Sequence, residues 1–181
     1  MLPDDFPDPM RQRLLRFLEL FEILLVAAIA VGVVAFIAQP FRVQGASMTP
    51  NFFSGDYVLV DKVSYHFRPL SRGEVIVFKN PENESEYFIK RIVGLPGEEI
   101  IISGGEVYID GELLKEGYLP SNISSGGEED FILGPHEYFV MGDNRLQSRD
   151  SRSWGALDQD EVVGLVRARF WPPDELAVFA Y

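Results

Sequence analysis

From Ile23 to Ala38 the chain reads ILLVAAIAVGVVAFIA, sixteen residues without a charge or a strongly polar group. A soluble surface helix keeps one polar face, and this segment has none. Extending it back through Phe17, Leu18, Leu20 and Phe21 takes in only Glu19 and Glu22 near one end. That brings it to the ~20 residues that cross a hydrocarbon core. The pattern predicts a transmembrane anchor over residues 18–38. A cleaved leader is the rival reading, but cutting after Ala38 would put Phe36 where a small residue is wanted. Cutting at Ala28-Ile29-Ala30 would leave an apolar new terminus, so the segment reads as uncleaved. Arg11, Arg13 and Arg16 precede the span, and Arg42 alone follows it closely. Basic flanks stay inside, so residues 1–17 are expected to form a cytoplasmic tail. Residues 39–181 then form an extracytoplasmic domain held at the plasma membrane.

The composition closes several function classes. The 181 residues carry 16 Lys+Arg against 28 Asp+Glu, a net charge of −12, and no cysteine. Binding nucleic acid needs clustered cations, so no nucleic-acid partner is expected. Disulfides, thiolate zinc sites and cysteine nucleophiles are all excluded. With only His66 and His136, no metal site is expected, and no cofactor is implied. Nothing in the residues sets an oligomeric state.

After residue 40 the chain reads as mostly β. Runs rich in β-branched and aromatic residues predict strands over Tyr57–Tyr65, Glu74–Phe78, Glu86–Val93, Glu99–Ser103, Glu106–Ile109, Glu137–Met141 and Val162–Trp171. Asp110-Gly111 before Glu112-Leu113-Leu114 predicts a hairpin. Ser121–Asp130 is polar and Gly-rich and is expected to be a loop. No helical period of useful length appears. The expected fold is antiparallel β, a partly closed domain behind one transmembrane helix.

Three segments concentrate polar chemistry. In Val43-Gln-Gly-Ala-Ser-Met-Thr-Pro50, small residues before Ser47 let another backbone approach, and Pro50 stiffens the turn. Ser47 is either a nucleophile or an ordinary turn serine. Around Lys90, alternation puts Phe88, Lys90 and Ile92 on one face and Tyr87, Ile89, Arg91 and Val93 on the other. Lys90 is then either an exposed edge residue or a buried amine whose pKa falls toward neutrality. Met141–Gly155 packs Asp143, Asn144, Arg145, Ser148, Asp150, Ser151 and Arg152 between glycines. A calcium loop is excluded there, since arginines intrude and the late Glu is missing.

Four boxes then occur in order: Ser47-Met48-Thr49-Pro50; Gly55-Asp56 with Lys62; Lys90-Arg91-Ile92-Val93-Gly94-Leu95-Pro96-Gly97; and Gly142-Asp143-Asn144-Arg145 with Ser148 and Asp150-Ser151-Arg152. Together with the anchor, over about residues 20–171, they resemble the type I bacterial signal peptidases, Ser/Lys proteases that remove leader peptides from exported proteins. The resemblance implies Ser47 as nucleophile and Lys90 as general base, a dyad that needs no histidine. It implies an oxyanion hole formed by the Ser47 N–H with the backbone at Gly45, and a Ser148 hydrogen bond that orients Lys90. It pairs Arg91 with Asp143, and Asp150 with Arg152, as supports.

The implied substrate is an extended preprotein segment with small residues, typically Ala, one and three positions before the cut. Phe41, Val43, Tyr57, Val58 and Phe88 are the expected pocket walls. Met48, Phe52, Phe53 and Trp171 either pack in the core or face the bilayer. The chain departs from the pattern at Asn51, where threonine is usual, and at Leu146, where an acid or amide is common. The alternative function is a membrane-anchored, non-catalytic β-rich adaptor of the secretion pathway, which would not need both Ser47 and Lys90.

Overall fold

The computed structural model describes residues 9–120 and 123–179. Residues 1–8 of the expected tail and residues 121–122 of the expected loop lie outside them. The chain divides after Ile37 into a helical unit and a β domain that begins at Ala38.

The helical unit is α1 (Pro9–Ile37). It starts before residue 18, so residues 9–17, expected as part of a tail, are helical. Pro9 suits a first helical turn, where its missing N–H has no partner to lose. The Arg-, Leu- and Glu-rich stretch after it favours helix throughout. Gln12–Val34 is long and apolar enough to cross a membrane. At the other end Ala38 leaves the helix for a strand, and Pro40 two residues on could not have continued it.

The strands of the domain are, in chain order, β1 (Ala38–Arg42), β2 (Tyr57–Asp61), β3 (Val75–Asn80), β4 (Asn83–Gly94), β5 (Glu99–Ser103), β6 (Glu106–Ile109), β7 (Glu112–Leu113), β8 (Glu129–Ile132), β9 (Glu137–Met141), β10 (Leu157–Asp158), β11 (Val162–Trp171) and β12 (Ala177–Val178). A single-turn helix, α2 (Ser151–Trp154), precedes β10. Among the described residues they form an eight-stranded sheet, ordered β1-β2-β11-β3-β4-β9-β10 with β12 on β11. A smaller sheet is ordered β7-β6-β5-β8. Neighbours run antiparallel.

β5, β6, β9 and β11 occupy the residues that the β-branched and aromatic runs predict. β2 ends four residues early because the Asp61 carboxylate accepts the N–H groups of Val63 and Ser64, both at 3.0 Å, and turns the chain. β8 begins in the last two residues of the stretch expected as loop, Glu129 and Asp130, and runs on through Phe131 and Ile132 to pair with β5. The Asp110-Gly111 hairpin forms as expected, with positive φ at both residues (49° and 81°).

Three apolar clusters hold the sheets. Ile76, Phe78, Ile92, Val140 and Leu165 pack on one face of the large sheet. Val43, Met48, Phe52, Val58, Val60 and Val77 pack on the other. Val93, Ile100, Ile102, Phe139 and Met141 join the small sheet to the large one. The large sheet curls strongly. Phe41 in β1 meets Tyr87 in β4 edge to face, ring centroids 5.6 Å apart, although β2, β11 and β3 separate those strands in the hydrogen-bonded order. Here lies the partial closure, with a groove between the two strand edges.

Candidate active site

The serine segment is a loop tied at its neck. The Val43 N–H donates to Asp56 O at 2.8 Å, and the Gly55 N–H donates back to Val43 O at 3.0 Å. Gly45, with φ of 82°, makes the turn into it. The N–H groups of Asn51 and Phe52 then both donate to Met48 O, at 3.1 and 2.9 Å. This tight turn drives Met48 and Phe52 into the core, 1% and 0% exposed, and leaves Ser47 half-buried at the surface. Those two side chains therefore pack inside, while Phe53 and Trp171 stay exposed. The Ser47 N–H has no acceptor among the described residues.

Lys90 stands on β4 and is 4% exposed, a buried amine rather than an edge lysine. Its Nζ donates to Ser47 Oγ at 2.9 Å and to Ile89 O at 3.0 Å. Burial pulls its pKa down to about 8; the charges of Asp150 and Asp143 work against the shift, and Arg152 adds to it. The expected hydrogen bond from Ser148 to Lys90 is absent. Ser148 Oγ is buried without a partner, packed against Gly142, and the Ile89 carbonyl takes the second Lys90 hydrogen instead.

Around this contact lies a dry polar framework. Arg91 grips Asp143 through two parallel bonds, Nε to Oδ1 at 2.8 Å and Nη2 to Oδ2 at 2.7 Å, and donates to Gly73 O. Tyr118, from the loop between β7 and β8, covers the guanidinium, 4.1 Å from Arg91 Cζ to the ring centroid. Asp150 accepts from Arg152 Nε and Nη2, both at 2.7 Å, and from the Gly142 N–H at 2.9 Å. Arg145 pairs with Glu116 and donates to Gly142 O. The Asn144 N–H donates to Ser47 O at 3.0 Å, and its side chain donates to Ala46 O and Thr49 Oγ1. The framework thus holds the serine loop by its carbonyls.

Asn51, Gly142, Asn144 and Tyr118 take parts that sequence reasoning did not assign. Asn144 and Gly142 lie inside a motif box, so a signal existed for them. Tyr118 lies outside every box and acts partly through its carbonyl, so it had none. Leu146 is exposed.

The groove of about 600 Å³ runs from the serine loop between β1 and the free edge of β4. Phe41, Val43, Val58 and Phe88 line it as expected, and Val77, Tyr87 and Ile89 join them. Tyr57 does not. Alternation along β2 turns Val58 and Val60 inward and Tyr57 outward, where its ring meets Phe170 at 6.0 Å. Among the described residues, no group of three His, Asp or Glu side chains could hold a metal.

A hydroxyl beside a buried amine that can lose its proton near neutral pH, next to a groove lined by Val43 and by Ile89, the neighbour of Lys90, is an arrangement able to open an acyl bond by proton transfer from serine to lysine. Residues 15–171 match the family described as signal peptidase, peptidase S26. The chain is 37% identical over 161 residues to signal peptidase I of Leptolyngbya laminosa, covering 82% of this chain and 76% of that one. It is 32% identical over 184 residues to signal peptidase IB of Staphylococcus aureus, covering 92% and 94%. A signal peptidase I crystal structure from Enterococcus faecalis aligns with a TM-score of 0.49 and 30% identity, covering 55% of this chain and 97% of that one. On the sequence matches, this chain belongs to the S26 signal peptidase family and is a peptidase.

Gly142 is the tightest point of the framework. A Cβ there would lie 2.4 Å from Ser47 O and 2.2 Å from Ser148 Oγ. Gly142→Ala must displace the serine loop, and a shift of ~1 Å at a reacting atom costs on the order of 100-fold in rate. Turnover of a preprotein by this variant should fall at least about tenfold, measured against wild type in the same detergent.

Proposed function

We propose that this chain removes the signal peptides of exported preproteins, cutting after Ala-x-Ala, with Ser47 as nucleophile and Lys90 as general base. The observation that carries the reading is the 2.9 Å contact between Nζ of the buried Lys90 and Oγ of the half-buried Ser47. Neutral Lys90 takes the Ser47 proton as Oγ attacks the scissile carbonyl. The negative charge that grows on the carbonyl oxygen faces the unengaged Ser47 N–H and the backbone at Gly45. The lysine ammonium then gives its proton to the leaving amine, and an acyl-serine remains. Water hydrolyses that ester, again losing its proton to Lys90. Arg91, Asp143, Asp150 and Arg152 hold the parts in place, and Ser148 contributes packing beside Gly142.

In this reading α1 anchors the enzyme in the plasma membrane, with the N-terminus cytoplasmic and the domain from Ala38 outside, where translocated preproteins emerge. No cofactor and no nucleic acid takes part.

Substrate selection follows from strand geometry. Side chains two residues apart on a strand share a face and lie ~6.7 Å apart. Ile89 and Tyr87 on β4 therefore match the spacing of the residues one and three before the cut in an extended peptide. Phe41 meeting Tyr87 closes the far end, so the outer position takes only a small side chain.

Cleavage of an Ala-x-Ala preprotein tests the mechanism. Ser47→Ala and Lys90→Ala should each lose on the order of 1,000-fold or more. Undiminished cutting by Ser47→Ala would overturn the dyad, and a folded wild type that cuts nothing would favour the adaptor. Because the working form of Lys90 is the neutral one, the rate should climb about tenfold per pH unit below pH ~8 and level off above it. An optimum in the acid range would contradict a lysine base. Tyr87→Ala should let leucine stand three residues before the cut, raising kcat/KM for that substrate roughly 10-fold or more relative to alanine. No change in that ratio would remove Tyr87 from the pocket wall.

A further inference from the structure

We propose that Asn51 is a positioning residue that sets the distance between Ser47 and Lys90, an inference resting on the dyad reading above. Both hydrogens of its amide are in use. Nδ2 donates to Asp143 Oδ2 at 2.8 Å and to Tyr118 O at 2.9 Å. Its own N–H is held by Met48 O at 3.1 Å, and its carbonyl accepts from Arg169 Nη1 at 3.0 Å. Four bonds thus fix a residue that follows Ser47 by four positions in the same tight turn.

Those bonds close a ring. From Ser47 the chain runs through the turn to Asn51, and Asn51 grips Asp143. Asp143 is clamped by Arg91, the residue next to Lys90, and Lys90 reaches back to Ser47 Oγ. Nucleophile and base belong to segments 43 positions apart in the chain. Apart from backbone packing, this side-chain route and the Asn144 clamp on Ser47 O join the serine loop to the framework beside the base. A threonine hydroxyl has one hydrogen to donate and could serve only one of the two acceptors. The carboxamide serves both from a single nitrogen, so the departure from the family pattern adds a tie to the Tyr118 loop. Tyr118 is doubly involved, because its carbonyl receives Asn51 while its ring covers Arg91. Asn51 does not line the groove. It acts on the chemical step and not on substrate affinity.

The test uses the full-length chain in detergent and a purified Ala-x-Ala preprotein, with kcat and KM measured separately. Asn51→Ala should lose roughly 10- to 100-fold in kcat with KM within about twofold. Asn51→Thr, with one donor restored, should recover most of that loss. The double variant Asn51→Ala, Tyr118→Leu should lose less than the product of the two single losses, since both act through Arg91 and Asp143. Wild-type kcat in Asn51→Ala overturns the proposal. So does a raised KM at unchanged kcat, which would make Asn51 a substrate contact. A loss that Asn51→Thr leaves unrecovered, alongside an equally lowered melting temperature in both variants, assigns Asn51 to folding and overturns it too. Ser47→Ala and Lys90→Ala run in parallel separate the two readings. If they still cut, the dyad fails; if they are dead and Asn51→Ala is not impaired, only the positioning role fails.

Discussion

A buried ion pair, Arg91 with Asp143, sits one residue along the strand from Lys90, and the site is arranged around it. The side chains are 7% and 1% exposed, so neither charge has water to fall back on. Removing one partner of such a pair costs about 3–5 kcal/mol, because the other is left charged and dry. The pair is also what lets Lys90 behave as it does. Asp143 draws its hydrogen bonds from Arg91 and Asn51, and Asp150 draws its own from Arg152 and the Gly142 N–H. With both carboxylates engaged elsewhere, the lysine amine meets a hydroxyl and a carbonyl and no direct counter-ion. Burial then outweighs the residual pull of the two acids, and the neutral amine becomes accessible.

The choice of cation matters to this division of labour. Every ion pair among the described residues uses arginine, and none uses lysine. Arginine stays charged, and its planar fork meets two oxygens at once, which suits fixed bracing. Lysine gives up its proton when buried, which suits a base. A chain with a net charge of −12 has carboxylates in excess, and keeping them away from one amine is a structural achievement of the arginines around it.

How much of this was legible in the sequence depended on what each residue contributes. Runs rich in β-branched and aromatic residues, such as β5, β9 and β11, could be read to the residue. β8 could not, because Glu129 and Asp130 end a polar, Gly-rich stretch and Phe131-Ile132 alone is too short a run to mark a strand. β1 was not anticipated at all, since Ala38 continues the apolar run of the helix and Gln39, Pro40 and Arg42 carry no strand signal. Alternation raised the possibility of a buried Lys90, but its meeting with Ser47 is a tertiary fact that only the resemblance anticipated. The orientation of Tyr57 follows from the phase of β2, which depends on which face curls inward. The parts of Asn51 and Tyr118 were out of reach, because their partners are a side chain 92 positions away and a main-chain carbonyl in a loop.

The groove has two walls that are both unfinished sheet edges. β1 is paired on one side only, and β4 has no partner strand along its second edge before Arg91 among the described residues. Such edges present rows of unclaimed N–H and C=O groups, which bind another extended chain and nothing bulkier. A helix, 10–12 Å across with its side chains, meets neither row in register. A slot of this kind reads conformation before it reads sequence. If this groove holds the substrate as proposed, a precursor still coiled at the cut would pass unprocessed until that short stretch uncoiled.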